Sequence, residues 1–235
     1  MKDEKNICII IPVYNGKKWL SDSVNAVKGA MLSLNRDYGL IIAEDGSTDG
    51  SFELAKSLEG EHVRVVHSDK RLGKGNAIGK AILSTKSDIV VFIDVDLSAN
   101  LRYLGLIILA VEQGADIAIA SRLVKGSKIH NTRLMRGFLS RIYNLFIRLL
   151  FRTGISDHQC GFKGFRRASI VSLLGNIRNG GWFWDTELIV RAKRKELKIT
   201  EIPIEWTDSR ESSMNLFYDI PSMAFAAIRL RLELR

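Results

Sequence analysis

Five short aliphatic and β-branched runs constrain the fold of this chain more than any other feature. They occupy residues 7–11, 40–43, 63–67, 89–93 and 117–120. Strands covered on both faces read as continuous apolar runs, whereas half-exposed strands alternate with polar residues. Between the runs, roughly at 19–34, 51–58, 76–84 and 101–113, the sequence has helical character. Strands alternating with helices predict an α/β fold: a mostly parallel, Rossmann-like sheet with helices on both faces. At 235 residues the chain can be one such domain, with enough length to bury a full core.

In an open parallel sheet, ligands bind beyond the carboxyl ends of the strands. The fourth run ends abruptly in Asp94-Val95-Asp96, followed by Leu97 and Ser98. Two hard oxygen donors at a crevice mouth suit Mg2+ or Mn2+ holding a pyrophosphate. The first run ends in Pro12-Val13-Tyr14-Asn15, which presents an aromatic ring where a base can stack. The second ends in Glu44-Asp45, and a carboxylate there can accept from the N–H edge of uracil or guanine. Ser47, Thr48 and Asp49 read as caps of the helix that follows. Glycines and cations from Lys70 to Asn76, Lys74 among them, precede a helix and can approach a phosphate. That loop is neither a Walker loop nor a dinucleotide fingerprint, because Ile78 stands where a third glycine is needed.

The second half differs. Residues 126–132 read as a mobile polar loop. A long helix is expected over 133–152, with Arg133, Arg136, Ser140, Asn144 and Arg148 as a polar stripe on an otherwise apolar surface. A second helix is expected near the C-terminus, capped by Asp219 with Pro221 in its first turn, and carrying Arg229, Arg231 and Arg235 among leucines. Wide apolar faces with arginine edges are the pattern of helices that lie in a membrane interface. A net charge of +9 agrees with anionic partners. No apolar run reaches the roughly 18–20 residues of a spanning helix, and the first residues are not a signal peptide. The expected location is therefore peripheral, on the cytoplasmic face of a membrane. Cys8 and Cys160 make no disulfide framework.

Taken together, Pro12-Val13-Tyr14-Asn15, Glu44-Asp45 and Asp94-Val95-Asp96 resemble the nucleotide-sugar half of the family 2 glycosyltransferases, in order and spacing. Three later segments extend the likeness: Ile155 to Lys163, Trp182 to Leu188, and Ile199 to Trp206. These resemble the dolichyl-phosphate glucosyltransferases, and more loosely the dolichyl-phosphate mannose synthases. The resemblance implies a GT-A type fold, with residues 1–125 binding nucleotide sugar and metal and residues 126–235 binding the acceptor. It implies donor contacts from Pro12, Tyr14, Glu44, Asp45, Lys74, Asp94 and Val95, and a metal site of Asp94, Asp96 and Ser98. Catalytic roles fall to Asp96, Asp185, Glu187 and Arg122. Arg136, Ser140 and Arg210 would hold the acceptor phosphate. Two departures stand out: Gly16 replaces the glutamate usual after Pro-x-Tyr-Asn, and the late loop around Arg210 to Met214 has no lysine.

The implied reaction is inverting transfer of a hexose, glucose from UDP-glucose, onto a polyprenyl or dolichyl phosphate, assisted by Mg2+ or Mn2+. A phosphomonoester needs no strong base, having a second pKa of about 6. The alternatives are a GDP-mannose donor, or a hydroxyl acceptor for which Asp185 would be the base. A sugar nucleotidyltransferase, resting on the Gly73-Lys74-Gly75 loop alone, and a non-enzymatic membrane-surface binder are further rivals. The expected partners are a nucleotide-sugar donor, the lipid phosphate and a membrane surface, with no nucleic acid.

Overall fold

A computed structural model describes residues 6–130, 134–207 and 216–234; within these, the side chains of residues 134, 136 and 216–218 are outside the description. The first strand, β1, is Ile7–Val13, and the helix after it, α1, is Lys17–Ser33. Then follow β2 (Tyr38–Glu44), α2 (Ser51–Ser57), β3 (Val63–His67), α3 (Lys74–Leu83) and β4 (Ile89–Ile93). The apolar run at 101–113 divides into a short 3-10 turn, Leu101–Tyr103, and α4, Leu104–Glu112. The Asn100 side chain accepts from the Arg102 amide and starts that turn. β5 is Ile117–Ser121 and β6 is Lys128–His130. The second half adds α5 (Leu134–Phe151), β7 (Phe162–Arg166), α6 (Arg167–Leu174), α7 (Trp184–Arg194), β8 (Ile199–Pro203), β9 (Glu205–Thr207) and α8 (Leu216–Glu233).

The seven-stranded sheet runs β3-β2-β1-β4-β7-β5-β8. Every pairing is parallel except those of β7, which is antiparallel to both β4 and β5. Strands from both sides of residue 125 thus share one sheet. β1 feeds β2 on one side and lies beside β4 on the other, which makes the β1/β4 edge the switch point where a crevice opens. Because β7 runs backwards, its first residues reach the same edge as the ends of β1, β2, β4 and β5.

Alternate residues of β7 point to opposite faces. Gly164 faces α4, where an added Cβ would lie 2.5 Å from Ile107 Cγ2, so the glycine lets that helix lie close. Lys163 faces the other way, toward α7. Both faces are therefore covered, and the residues of β1 and β4 are buried throughout, as their continuous apolar runs predict.

Three expectations need correction. The polar segment at 126–132 is partly ordered by pairing: β6 forms a parallel ladder with β9, which the chain returns to supply; residues 131 and 132 lie outside the described residues. α8 starts before Asp219, so Pro221 is inside the helix rather than in its first turn. Asp49 does accept from Ser51 at the start of α2, but its other oxygen accepts from the Lys17 amide at the start of α1. Ser51 Oγ accepts from Gly16, while Ser47 Oγ and Asn15 Oδ1 accept from the Asn15 and Thr48 amides, tying the two loops at the mouth together.

Candidate active site

A cleft of about 1310 Å³ opens along the carboxyl ends of the strands and continues between α5 and α8. Pro12, Tyr14, Asp45, Lys74, Asp94, Val95, Asp96, Arg122, Ser140 and Asp185, all named from the sequence, line it. Glu44, Ser98 and Glu187 do not.

The acidic tip sits on a tight turn. Leu97 adopts φ 49°, its amide bonded to the Asp94 carbonyl at 3.0 Å, and Ser23 Oγ donates to the Val95 carbonyl from α1. Ser98 donates to Asp96 through both its amide (3.1 Å) and its hydroxyl (2.6 Å). It is buried, so its observed part is to aim Asp96 rather than to face a ligand. Asp94 accepts an ion pair from Lys74 at 2.6 Å. Burial holds the Asp94 carboxyl above the usual carboxylate range, with Asp96 and Asp185 adding to the shift and Lys74 opposing it. Burial works against the Lys74 ammonium, but Asp94, Asp185 and Asp96 outweigh it and raise its pKa. The tip thus sets two carboxyl groups, Asp94 and Asp96, against the one ammonium of Lys74.

Among the described residues no three His, Cys, Asp or Glu side chains form a cage for a metal ion. Mg2+ and Mn2+ do not require one. Mg2+ commonly takes one or two carboxylates and completes its shell with water and substrate phosphate. Asp94 and Asp96, short of positive charge and open to the cleft, fit such an ion.

At the β1 and β2 ends, Arg71 lies 3.9 Å over the Tyr14 ring. Asp45 accepts from the Leu72 amide at 2.7 Å and the Gly73 amide at 2.9 Å, one bond to each oxygen. The Gly75 and Asn76 amides donate to the Gly180 carbonyl. These amides at the start of α3 are therefore taken by the protein, and the Gly-Lys-Gly loop is not a phosphate cradle. Gly75 is required because an added Cβ would fall 2.1 Å from Trp184 Cγ. Glu44 needs correction as a base contact. Its carboxylate is buried and accepts from Gly46, Ser47 and His67 Nδ1, the last at 2.5 Å. It closes the turn behind Asp45.

Asp185 occupies the first turn of α7, where the helix dipole favours a carboxylate. Lys163 Nζ donates to its Oδ1 at 2.5 Å. Glu187, two residues on, points away from the cleft: it accepts from the Arg178 and Asn179 amides, Asn179 Nδ2 and Arg191. That corrects a catalytic role to one of holding the 178–181 loop.

Arg122 leaves β5 and forms a two-pronged pair with buried Asp157, Nε to Oδ2 at 2.7 Å and Nη2 to Oδ1 at 2.8 Å. The Ser156 and Asp157 amides donate to Glu201 of β8, which fixes the loop bearing Asp157. Burial works against the Arg122 guanidinium, but the charge and hydrogen bonds of Asp157, with Cys160 and Asp94, together outweigh it and raise its pKa, leaving a permanent cation at the cleft wall. Neither Asp157 nor Lys163 was assigned a role from the sequence, although a lysine inside the apolar run Phe162 to Phe165 is an available signal.

At the helical end of the cleft, Ser140 faces it from α5 with Gly137, Leu139 and Tyr143, opposite Ile220 and Met223 of α8. The Arg136 side chain and Arg210 lie outside the described residues. Tyr143, Ile147, Met223, Ala227 and Leu230 join the two helices, with Phe183 and Val190 of the body beneath them. The outward face stays apolar: Met135, Phe138, Ile142, Leu145 and Leu149 on α5, and Phe225, Ile228 and Leu232 on α8, are exposed. Arg141 and Arg148 of α5 and Arg229 of α8 are exposed with them. No described helix is long and apolar enough to cross a membrane.

Residues 8–174 match the model of the glycosyl transferase family 2. The glycosyltransferase AglD of Haloferax volcanii is 34% identical over 228 residues, 95% of this chain but only 36% of that protein. The dolichyl-phosphate beta-glucosyltransferase of Saccharomyces cerevisiae is 29% identical, covering 98% of this chain and 75% of its own. The polyprenol monophosphomannose synthase of Mycolicibacterium smegmatis is 30% identical, covering 96% and 88%. Among solved structures, glucosyl-3-phosphoglycerate synthase of Mycobacterium tuberculosis with Mn2+, UDP and its glucosylated product superposes with a TM-score of 0.71, at 18% identity over 97% of this chain and 80% of that one. The fold is thus the GT-A arrangement expected from the sequence.

Proposed function

The chain belongs to glycosyl transferase family 2, and on that premise we propose that it moves a hexose from a nucleotide sugar onto a polyprenyl phosphate at the cytoplasmic face of a membrane. The observation that carries this reading is the continuity of one cleft, from the acidic tip of β4 to the gap between two helices whose outer faces are apolar and arginine-bearing. A phosphorylated donor suits one end and a lipid-borne anion suits the other.

Each residue set has a task. Tyr14 and Pro12 offer the base an apolar and aromatic surface. Asp45 has one loop amide on each oxygen, which leaves a lone pair on each for the N–H edge of a uracil or guanine base. UDP-glucose is the donor we favour, in keeping with the yeast relative. The mycobacterial relative makes GDP-mannose the second reading. Asp94 and Asp96 would hold Mg2+ or Mn2+, which when bound offsets charge on the leaving diphosphate. Lys74 places a second cation beside it. Arg122, locked by Asp157, presents a fixed guanidinium suited to phosphate oxygens. Ser140 offers a hydroxyl to the acceptor phosphate, and Arg136 and Arg210 are proposed to add charge there. A phosphate acceptor arrives as an anion, so attack with inversion needs no proton taken from it. The hydroxyl-acceptor alternative would require Asp185 to act as base through the oxygen that Lys163 leaves open. The apolar faces of α5 and α8 would seat in the headgroup region with their arginines on anionic lipid.

The test is incubation of the protein with polyprenyl-phosphate vesicles, Mg2+ or Mn2+, and labelled UDP-glucose or GDP-mannose. Organic-extractable label released by mild acid is the expected result, greatest with UDP-glucose. Transfer that survives Asp96→Ala, or that goes only to water-soluble hydroxyl acceptors, would refute the proposal.

A further inference from the structure

Lys163 is a charged side chain with no solvent exposure, placed in the middle of the sheet. Its neighbours across the ladders are Phe92 of β4 and Ile119 of β5, both apolar. Its ammonium lies 5.3 Å from the centre of the Phe92 ring. Nothing about packing calls for a lysine here, since an apolar residue of similar size would fill the same space. Buried ion pairs contribute little to stability compared with apolar replacements, because desolvation offsets the attraction. What they do well is fix the position of a partner.

The partner is Asp185. Lys163 Nζ donates to the Cys160 carbonyl at 2.6 Å and to Asp185 Oδ1 at 2.5 Å. Asp185 lines the cleft, and Lys163 takes one of its two oxygens. Along the cleft, Asp185 stands between two functional ends. On one side its charge is felt by Lys74 and Asp94 at the diphosphate end. On the other, the next residue, Thr186, bonds Tyr143 of the acceptor helix α5 at 2.8 Å. The group in transit between leaving diphosphate and incoming phosphate is the sugar. A carboxylate there would repel either phosphate, whereas sugar hydroxyls are neutral donors it can accept from.

We propose, resting on the glycosyl-transfer reading above, that Lys163 is a positioning residue for donor-sugar recognition: it holds Asp185 aimed, so that the second carboxylate oxygen accepts hydrogen bonds from hexose hydroxyls. Lys163 touches neither substrate. It acts by fixing one oxygen and leaving the other turned to the sugar.

The experiment compares binding of UDP-glucose, its 2-, 3-, 4- and 6-deoxy forms, and UDP alone, in the presence of Mn2+, to the full chain and to Lys163→Met. In the parent protein at least one deoxy donor should bind about tenfold more weakly, the worth of one hydrogen bond to a charged group. In Lys163→Met, UDP should bind as before, UDP-glucose should lose about that factor, and the deoxy penalty should vanish. A merely structural lysine would weaken UDP and UDP-glucose together and leave the deoxy penalty in place, which would overturn the proposal. If Lys163→Met does not fold, Lys163→Gln, neutral but able to donate to the Cys160 carbonyl, takes the same measurements. If UDP fails to bind the parent protein, the donor reading falls and this proposal with it. If UDP binds and the UDP-glucose to UDP ratio is unchanged in the variant, only the role of Lys163 falls.

Discussion

Acid should unfold this protein earlier than its carboxylates alone would dictate, because of His158. The side chain has no solvent exposure. Its Nδ1 lies 2.9 Å from Asn144 Oδ1, a pure acceptor, so Nδ1 carries the proton. Its Nε2 lies 2.9 Å from Thr153 Oγ1, which already accepts from the Ile155 amide and so donates to the imidazole. This network needs the neutral ring. Burial pushes the His158 pKa down to about 3, with Lys163 and Arg148 adding to the shift and Asp157 opposing it. An unfolded histidine titrates near 6.5. Below that pH the unfolded chain binds a proton that the native chain refuses. The stabilisation is therefore complete above pH 6.5 and is lost progressively toward pH 3. The linkage slope is about 1.4 kcal/mol per pH unit, so roughly 2 kcal/mol should disappear between pH 7 and pH 5. For a domain of this size that is a fall of about 4–8 °C in melting temperature. Most carboxylates, with unfolded pKa values near 4, contribute little in this window. The assay is thermal or urea unfolding across pH 5–7.5 for the parent and His158→Gln, with the His158 ring followed by NMR. The variant should start lower and show a flatter dependence. A His158 resonance that titrates near pH 6.5 in the folded protein, or a variant with the parent's slope, would refute the reasoning.

Other predictions follow from close contacts and exposed faces. Gly161→Ala would place a Cβ 1.8 Å from Asp94 Oδ2, so Asp94 must move; transfer should fall about 100-fold with folding retained, as expected when a reacting group is displaced by about an ångström, and near-normal turnover would count against Asp94's placement. Gly75→Ala pushes into Trp184 and should lower stability by about 1–3 kcal/mol or more, measured as the urea midpoint; an unchanged midpoint would show that the helix contact is looser than described. Phe138→Glu with Leu149→Glu, both on exposed positions of α5, should leave the melting temperature within a few degrees and reduce co-sedimentation with anionic vesicles about tenfold or more. Undiminished vesicle binding would remove α5 from the membrane surface.

Much of the site could be read from local pattern. The end of a buried strand is where the apolar run stops, and in a parallel sheet that end faces the crevice. Asp94, Asp96, Tyr14 and Asp45 were therefore locatable without a structure. The polar stripe expected on α5 was not: Asn144 is buried against His158 and Ser140 faces the cleft, while Arg148 is exposed. Glu44 shows where that logic stops. It ends a strand as Asp94 does, yet its oxygens go to Gly46, Ser47 and His67 because the turn after β2 folds back over it. Glu187 shows the same for helices. In the first turn of α7 it turns to the amides of the preceding loop, while Asp185 in that turn faces the cleft.

Strand spacing and side-chain chemistry were enough to place the sheet and the acidic mouth of the cleft, and the resemblance of its motifs to place the family, because burial on both faces and a charged strand end leave their mark on consecutive residues. Which carboxylates remain available for a substrate was decided by contacts between segments far apart in the chain. β7 enters the sheet in reverse and carries Lys163 to Asp185, 22 residues away, and Asp157 meets Arg122 across 35. An ionised oxygen accepts from whichever donor the fold brings within about 3 Å, and that proximity is a property of the packed chain, not of any stretch of it.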